Sequence, residues 1–384
     1  MPGFCRYLLF LPLWMPYLSN GQVSPISNKF DSTISYPRLS IERHMVYEPV
    51  SSYMFSHHPY LCWFKGVYIS MWSNGMKDED DPGQRVVVSY STDFMHWSAP
   101  EVLAEPGKDK NGDREILTAA GFYESNGQLV AYFGSYNKNR THTLLLARTS
   151  SDGRKWNQQL DLGIPVIPNH TPSRIINGRL IICGNFSFPY SDSSSGTEGW
   201  KMAGFYPQEM GMVSDNPWSF WKVSKGMELP VSLCEGSFFQ TDDSVIHMLL
   251  RSAGVTFDGY LWLTESNDNG LTWSRPVKTG FTDNDHKFHF GRLPDSRFYY
   301  VGCPVAFPRG KRSPLVFSLS DDGIHFTNHH IIADQPYTRK SEGRYKEGQY
   351  GYPTTFLMNG MMYIIISRQK EGVEVIRFAI DQLF

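Results

Sequence analysis

The chain has 384 residues, 41% of them hydrophobic and 19% charged, which is enough apolar material for a sizeable core and excludes a disordered chain. With 36 Lys and Arg against 38 Asp and Glu the net charge is -2, so the basic field that general nucleic-acid binding needs is absent. Aromatic residues make up 15%, and 33 Gly with 24 Pro supply many tight turns; together these point to an all-β protein with aromatic surfaces.

The N-terminus reads as a processed leader. Arg6 is followed by the apolar run Tyr7 to Tyr17 and the polar exit Ser19-Asn20-Gly21-Gln22, the pattern of a secretory signal over residues 1–22. Two prolines and the shortness of the run argue against a membrane-spanning helix. The expected mature unit is one domain over 23–384, secreted or periplasmic. Beyond Cys5, the cysteines Cys62, Cys183, Cys234 and Cys303 lie far apart in apolar runs without metal-ligand spacing, and read as buried thiols.

A short pattern then recurs: Ser-x-Asp, a turn glycine, an aromatic. It runs Ser91-Thr92-Asp93-Phe94-Met95-His96-Trp97 without the glycine, Ser150-Ser151-Asp152-Gly153 to Trp156, Ser266-Asn267-Asp268-Asn269-Gly270 to Trp273, and Ser320-Asp321-Asp322-Gly323 to Phe326, with a degraded copy at Ser214 to Trp218. The aspartates are 59, 63, 53 and 54 residues apart, the length of one four-stranded blade. Asp accepts backbone N–H bonds across a turn, Gly takes positive φ, and the aromatic packs beneath. A β-rich run precedes each full copy, and hairpin signals stand at Trp63–Tyr68, Glu124–Gln128, Ile176–Arg179 and Leu293–Arg297.

First strands near 58, 117, 170, 236, 289 and 351 make a β-propeller of six four-stranded blades, or seven if two have been merged. The last blade supplies only three strands, and Leu39 to Val50 is placed as the fourth, closing the ring. The Asp-bearing turns then define one face. The opposite mouth receives His57 and His58, Tyr136, Arg140, His170, Glu235, Arg251, Lys287, His289, Tyr350 and Tyr352. His, Arg and Tyr suit an anionic ligand: Arg and His bind a carboxylate, and Tyr transfers a proton. The run Asp78 to Asp81 reads as a solvated turn, with a structural divalent cation on its oxygens as the alternative; no cofactor is required by this reading. His44 falls on the closing strand, at the Asp-bearing face.

The repeat resembles the Asp box of the sialidase-like propellers. No Tyr–Glu pair with three arginines stands out along the chain. Ser56-His57-His58-Pro59, Met71 to Gly75 with Pro82 to Val86, Lys287 to Leu293, and Tyr350-Gly351-Tyr352-Pro353 are similar to a bacterial propeller group acting on uronic-acid polysaccharides: α-L-rhamnosidases, rhamnosyl-glucuronate lyases and, more distantly, ulvan lyases. That group is usually described as seven-bladed. The resemblance implies an acidic oligo- or polysaccharide partner, with neither nucleic acid nor a membrane span. It also implies two chemistries. The lyase plan uses a His, His, Tyr, Arg set: His57 or His58 matches the first His, Met76, Lys77 and Asp78 stand where the second is expected, and Tyr132 with Arg148 or Tyr136 with Arg140 are the alternatives for the remaining roles. The rhamnosidase plan uses one His near the N-terminus, matched by His44. Hydrolysis of terminal α-L-rhamnose on D-glucuronate in arabinogalactan-type material is therefore the preferred expectation, with His44, His57, His58 and Tyr136 as catalytic candidates. Arg140, His170, Glu235, Arg251, His289, Arg292, Tyr350 and Tyr352 are the substrate-binding candidates. Elimination at the same linkage, a non-catalytic glycan-binding propeller and a sialidase are the alternatives.

Overall fold

The computed structural model describes residues 23–50, 52–140, 142–206 and 224–384. The leader read at 1–22 and the degraded repeat at 214–218 lie outside the described residues.

Six four-stranded antiparallel sheets follow one another along the chain. Blade one is Phe55–Phe64, Val67–Gly75, Arg85–Ser91 and Glu101–Ala104; blade two is Ile116–Ser125, Gln128–Tyr136, Leu144–Ser150 and Leu160–Asp161. Blade three has four short strands between Ser173 and Met202, and blade four runs from Ser232–Gln240 to Val277–Thr282. Blade five is His289–Arg292, Phe298–Gly302, Leu315–Ser320 and Asn328–Ala333. Blade six takes Gly351–Met358, Met361–Arg368 and Gly372–Ala379 from the C-terminus and Glu42–Tyr47 from the N-terminus as its outer strand, with Glu42 opposite Arg377. The count of six and the closing strand are as expected from the sequence. The hairpin at Thr241 to Val245 in blade four and the Asn359-Gly360 turn in blade six carry turn chemistry that lies outside the box repeat.

The core is divided among the seams between blades. Six apolar clusters join one with two, two with three, three with four, four with five, five with six and six with one. The last of these, built from Tyr47, Val373 and Val375 against Tyr68, Trp72 and Phe94, completes the ring. Burying such surface stabilises each seam by about 25 cal/mol per Å², so no blade is a separate unit.

The four Asp boxes share one geometry. In blade two, Ser150 Oγ donates to Asp152 Oδ1 (3.1 Å), Gly153 N–H donates to Ser150 Oγ (2.8 Å), and Arg154 and Lys155 N–H donate to Asp152 Oδ1 at 2.8 and 2.7 Å. Asp322 receives the same pair of backbone bonds at 2.8 Å each. The left-handed position is Gly153, Gly270 or Gly323 in three boxes, and Phe94 (φ +73°) in the first. Phe94 meets that strain with a fully buried ring packed on Tyr68 and on Tyr363 of blade six. Each box glycine likewise faces the preceding blade: a Cβ on Gly153 would meet Ile69 and Phe64, and one on Gly270 would meet Ile181.

Gly270→Ala places its Cβ 2.5 Å from Ile181 Cδ1 at φ +81°, whereas Gly127→Ala, at φ +74°, meets nothing within 4 Å. Urea denaturation should show Gly127→Ala losing about 1–2 kcal/mol and Gly270→Ala about 2–4 kcal/mol. Equal losses would show that the box glycine serves backbone conformation alone.

Candidate functional site

Inner strands pair regularly until they reach the mouth, where four of them slip register. The breaks fall between His57 and Tyr60, Ala119 and Gly121, Leu233 and Gly236, and Gly351 and Thr354. A bulge frees residues from strict alternation and re-aims their side chains. His58 (φ +53°) and Tyr352 (φ +54°) sit in such breaks in the left-handed region, and Glu235 occupies a third. Local sequence explains this: Pro59 and Pro353 lack the N–H for a ladder bond, and a Cβ on Gly236 would lie 2.5 Å from the carbonyl oxygen of Leu249.

The bulged residues meet. The Tyr352 hydroxyl donates to Glu235 Oε2 (3.0 Å), and Arg251 Nε pairs with the same carboxylate oxygen at 2.5 Å. Arg251 also pairs with Asp285, which Arg309 holds from the other side (2.5 Å). Arg312 donates Nη2–H to the Asp285 carbonyl (3.0 Å) and lies over the Tyr352 ring, 5.5 Å from its centroid; its buried Nε and Nη1 have no hydrogen-bond partner among the described residues. Burial pushes the Tyr352 hydroxyl well above its usual pKa, with Arg251 opposing and Glu235 adding to the rise. Burial also raises Asp285, but Arg251, Arg312 and Arg309 outweigh it and hold the carboxyl below its ordinary value. A Tyr–Glu pair and three arginines, not legible along the chain, are thus assembled by the ring.

On the other side of Tyr352 stand the two histidines. The His57 ring centroid is 4.0 Å from that of Tyr352 and 4.5 Å from that of His58. His58 Nε2 is 3.3 Å from Glu79 Oε1, and Lys370 Nζ is 2.5 Å from Glu79 Oε2. Burial raises Glu79, yet Lys370 and His58 bring it well below the usual range, while burial and then His58 hold His57 neutral. Asp80, next along, accepts from the Tyr136 hydroxyl and from Arg140 Nη2 (3.1 Å); burial and the Glu79 charge raise its pKa above the ordinary aspartate value.

The run Asp78 to Asp81 is therefore a set of ion-paired carboxylates rather than a solvated turn. Asp78 and Asp81 pair with Arg344, Glu79 with Lys370, and Asp80 with Arg140. Four carboxylates are thus shared among three cations.

Residues 67–364 match the family described as BNR repeat-like domain. The chain belongs to that family. Among solved structures, the BNR chain is similar to a sialidase (18% identity, TM-score 0.62, 94% of this chain and 34% of that one) and to the Hadza microbial sialidase Hz136 (13%, 0.64, 87% and 67%). It is also similar to Trypanosoma rangeli sialidase (15%, 0.60, 90% and 60%). The chain thus spans about a third of the first of these and 60% of the last. At such identities the likeness is one of fold: a sialidase-like propeller. No protein of curated function matches the chain.

The remaining sequence candidates of the BNR propeller fall elsewhere. His170 bonds to the Phe288 carbonyl through Nε2 (2.8 Å) and stacks on His289. His289 Nδ1 accepts the Thr355 N–H (3.0 Å), and burial holds its pKa down at about 3, so both rings are committed connectors inside the ring. Lys287 bridges them to the site: its Nζ donates to the Asn169 carbonyl (2.7 Å) and the Tyr60 hydroxyl (3.2 Å), and burial brings its pKa to about 7. Tyr350 donates to the Gln335 carbonyl (2.8 Å) beneath Arg368. Arg292, at the far end of its strand, pairs with Asp242 of the neighbouring hairpin (2.7 Å), on the rim away from the mouth. His44 pairs with Glu42 (3.0 Å) and meets the ring of Phe94 in the first Asp box. It lies at the expected face, apart from the Tyr352 cluster. The four cysteines described are free thiols. Among the described residues no helix is long and apolar enough to cross a membrane.

Asp285, Arg309, Arg312 and Lys370 escaped the sequence reading because no periodic pattern marks the loops that carry them. Beside the mouth, a cleft of about 870 Å³ is lined by Arg309, Lys311, Arg339 and Lys346, among others. Its wall is braced by Glu371, which accepts from Lys340 N–H (2.7 Å), Ser341 N–H (2.9 Å) and the fully buried Lys346 ammonium (3.2 Å). Lys346→Met leaves a buried carboxylate without its cation and should cost about 3–5 kcal/mol in chemical denaturation. A loss below about 1 kcal/mol would show that water replaces the pair.

Proposed function

We propose that this protein is a secreted glycoside hydrolase whose active site is the mouth around Tyr352, and that its substrate carries a carboxylate. The observation that carries this reading is the hydrogen bond from Tyr352 to Glu235 inside a ring of arginines. Arg312 has two buried donors to spare, and a carboxylate satisfies both at once. Beside a carboxylate-bearing sugar a neutral phenol is a better nucleophile than a second carboxylate, because it approaches without like-charge repulsion; tyrosine is the nucleophile in one known class of glycosidases.

In the proposed reaction Tyr352 Oη forms a bond to the anomeric carbon while Glu235 takes the phenolic proton. The bond to the leaving oxygen breaks, and that oxygen takes a proton from Asp80, a carboxyl of the mouth whose pKa is raised. Water, losing a proton to Asp80, then attacks the same carbon, and Tyr352 leaves with its proton returned by Glu235. Both proton carriers end as they began.

Two substrate classes fit a carboxylate-reading mouth: rhamnosyl-glucuronate units of acidic plant polysaccharide, as the sequence resemblance implies, and sialosides. The cleft carries Arg309, Lys311 and Arg339 against Asp334 and Glu347, a small positive excess that favours the polyanionic polymer. Elimination remains the second reading, supported by the buried, unpartnered Nε2 of His57 next to Tyr352, which could accept a C5 proton.

Incubation with gum-arabic oligosaccharides and with a sialoside, read by mass spectrometry, should show addition of water to one of them. An unsaturated product without added water would replace hydrolysis by elimination. Tyr352→Phe should lose about 10³-fold or more in kcat, while His44→Gln keeps its rate. Loss of activity in His44→Gln with Tyr352→Phe active would move catalysis to the opposite face.

The acid must carry its proton, so a raised Asp80 pKa extends activity to higher pH than an ordinary aspartate allows, and the rate falls as pH rises through that value. Asp80→Asn should reduce kcat by about 10²-fold and flatten this alkaline limb. An unchanged limb in the variant would assign the acid to another group.

A further inference from the structure

We propose that His57, His58 and Glu79 form a binding site for a first-row divalent transition-metal ion, with Zn²⁺ the best fit to the donors. The inference goes beyond the hydrolase reading; a bound ion would take the His57 Nε2 lone pair that the elimination reading uses.

Two consecutive residues of a regular strand point to opposite faces. Here the register break after His57 and the left-handed backbone of His58 turn both imidazoles to one side, with ring centroids 4.5 Å apart. One nitrogen of each ring and one oxygen of Glu79 all lie within 4.8 Å of one another. Tetrahedral zinc with bonds of about 2.0–2.2 Å places its ligand atoms about 3.3–3.6 Å apart; His58 Nε2 and Glu79 Oε1 are already 3.3 Å apart.

The surroundings support the donors as metal sites require. His57 Nδ1 lies 2.6 Å from Ser367 Oγ, and His58 Nδ1 lies 3.1 Å from Ser73 Oγ, so each Nδ1 rests on a hydroxyl. The Ser367 hydroxyl also reaches the Gly351 carbonyl (3.3 Å). If it donates there, it accepts His57 Nδ1–H, every proton in that chain is satisfied, and His57 Nε2 keeps a bare lone pair. That nitrogen is buried and has no partner among the described residues, an orphan that a metal ion would complete.

Charge narrows the choice of ion. Glu79 supplies the single negative charge, and Lys370 holds its second oxygen (2.5 Å). With one carboxylate and a neighbouring ammonium the site offers little to Ca²⁺ or Mg²⁺, which need several oxygens. Two imidazoles give covalent affinity to Zn²⁺ and Co²⁺ that survives the nearby positive charge.

The test uses the untagged, chelator-treated full chain. Isothermal titration with ZnCl₂ should show one saturable equivalent, and CoCl₂ should develop visible absorption of the same stoichiometry, with CaCl₂ and MgCl₂ giving neither. His58→Asn, which tolerates the left-handed backbone, and Glu79→Gln should each abolish saturable binding while keeping the wild-type circular dichroism; Ser367→Ala should weaken it by about tenfold or more. No saturable binding of Zn²⁺ to the wild type, or binding of equal affinity in both ligand variants, overturns the proposal. Either result leaves the Tyr352 reaction standing, since that is read separately by the Tyr352→Phe variant.

Discussion

Breaks in strand register at the mouth are the constraint on which the site depends. A propeller blade built without them would send alternate residues of its inner strand into the two seams, where apolar packing takes them. His58, Glu235 and Tyr352 escape that fate because each occupies a slip in the ladder of its inner strand. Three blades then deliver an imidazole, a carboxylate and a phenol to one place, although Glu235 and Tyr352 are 117 positions apart in the chain. The seams hold the breaks open. Each is a buried apolar cluster, so a blade cannot tilt to restore its register without exposing the neighbour's core.

The Asp boxes serve the same end from the other face. Their carboxylates gather backbone N–H groups into a rigid turn, and the turn presents a residue to the preceding blade. Where the glycine is missing, Phe94 takes the strained conformation and its ring fills the last seam. The rim thus fixes the angle between blades, and that angle sets the width of the mouth.

Much of this could be read from the chain. The box spacing gave the blades, and the three-strand remainder at the C-terminus gave the closing strand, because these are local patterns repeated at one period. His57, His58, Glu235, Arg251 and Tyr352 were legible as mouth residues, since a strand start in a propeller has only one place to go. Their chemistry was not. The pairing of Tyr352 with Glu235 depends on two register slips whose only trace is a proline or glycine beside the functional residue: Pro353 and Gly236. Arg312 and Lys370 lie in loops without period. The charges of Asp78 to Asp81 were visible, but which cation each would meet depended on residues up to 291 positions away.

The N-terminal segment has one further consequence. Before joining blade six it runs past blades four and five, with Ser24 N–H on the Lys278 carbonyl (2.8 Å), Ser27 bridged to Gly280 and His325, and Leu39 N–H on the Ile331 carbonyl (3.0 Å). Every one of these partners is synthesised hundreds of residues later. The leading segment therefore leaves the ribosome with no surface to settle on until blades four and five emerge, and its strand Glu42–Tyr47 waits unpaired until Gly372–Ala379 follows. Nascent chains of this protein carry an open sheet edge through almost their whole synthesis, and the burden of keeping that edge from other chains falls on the cell rather than on the fold.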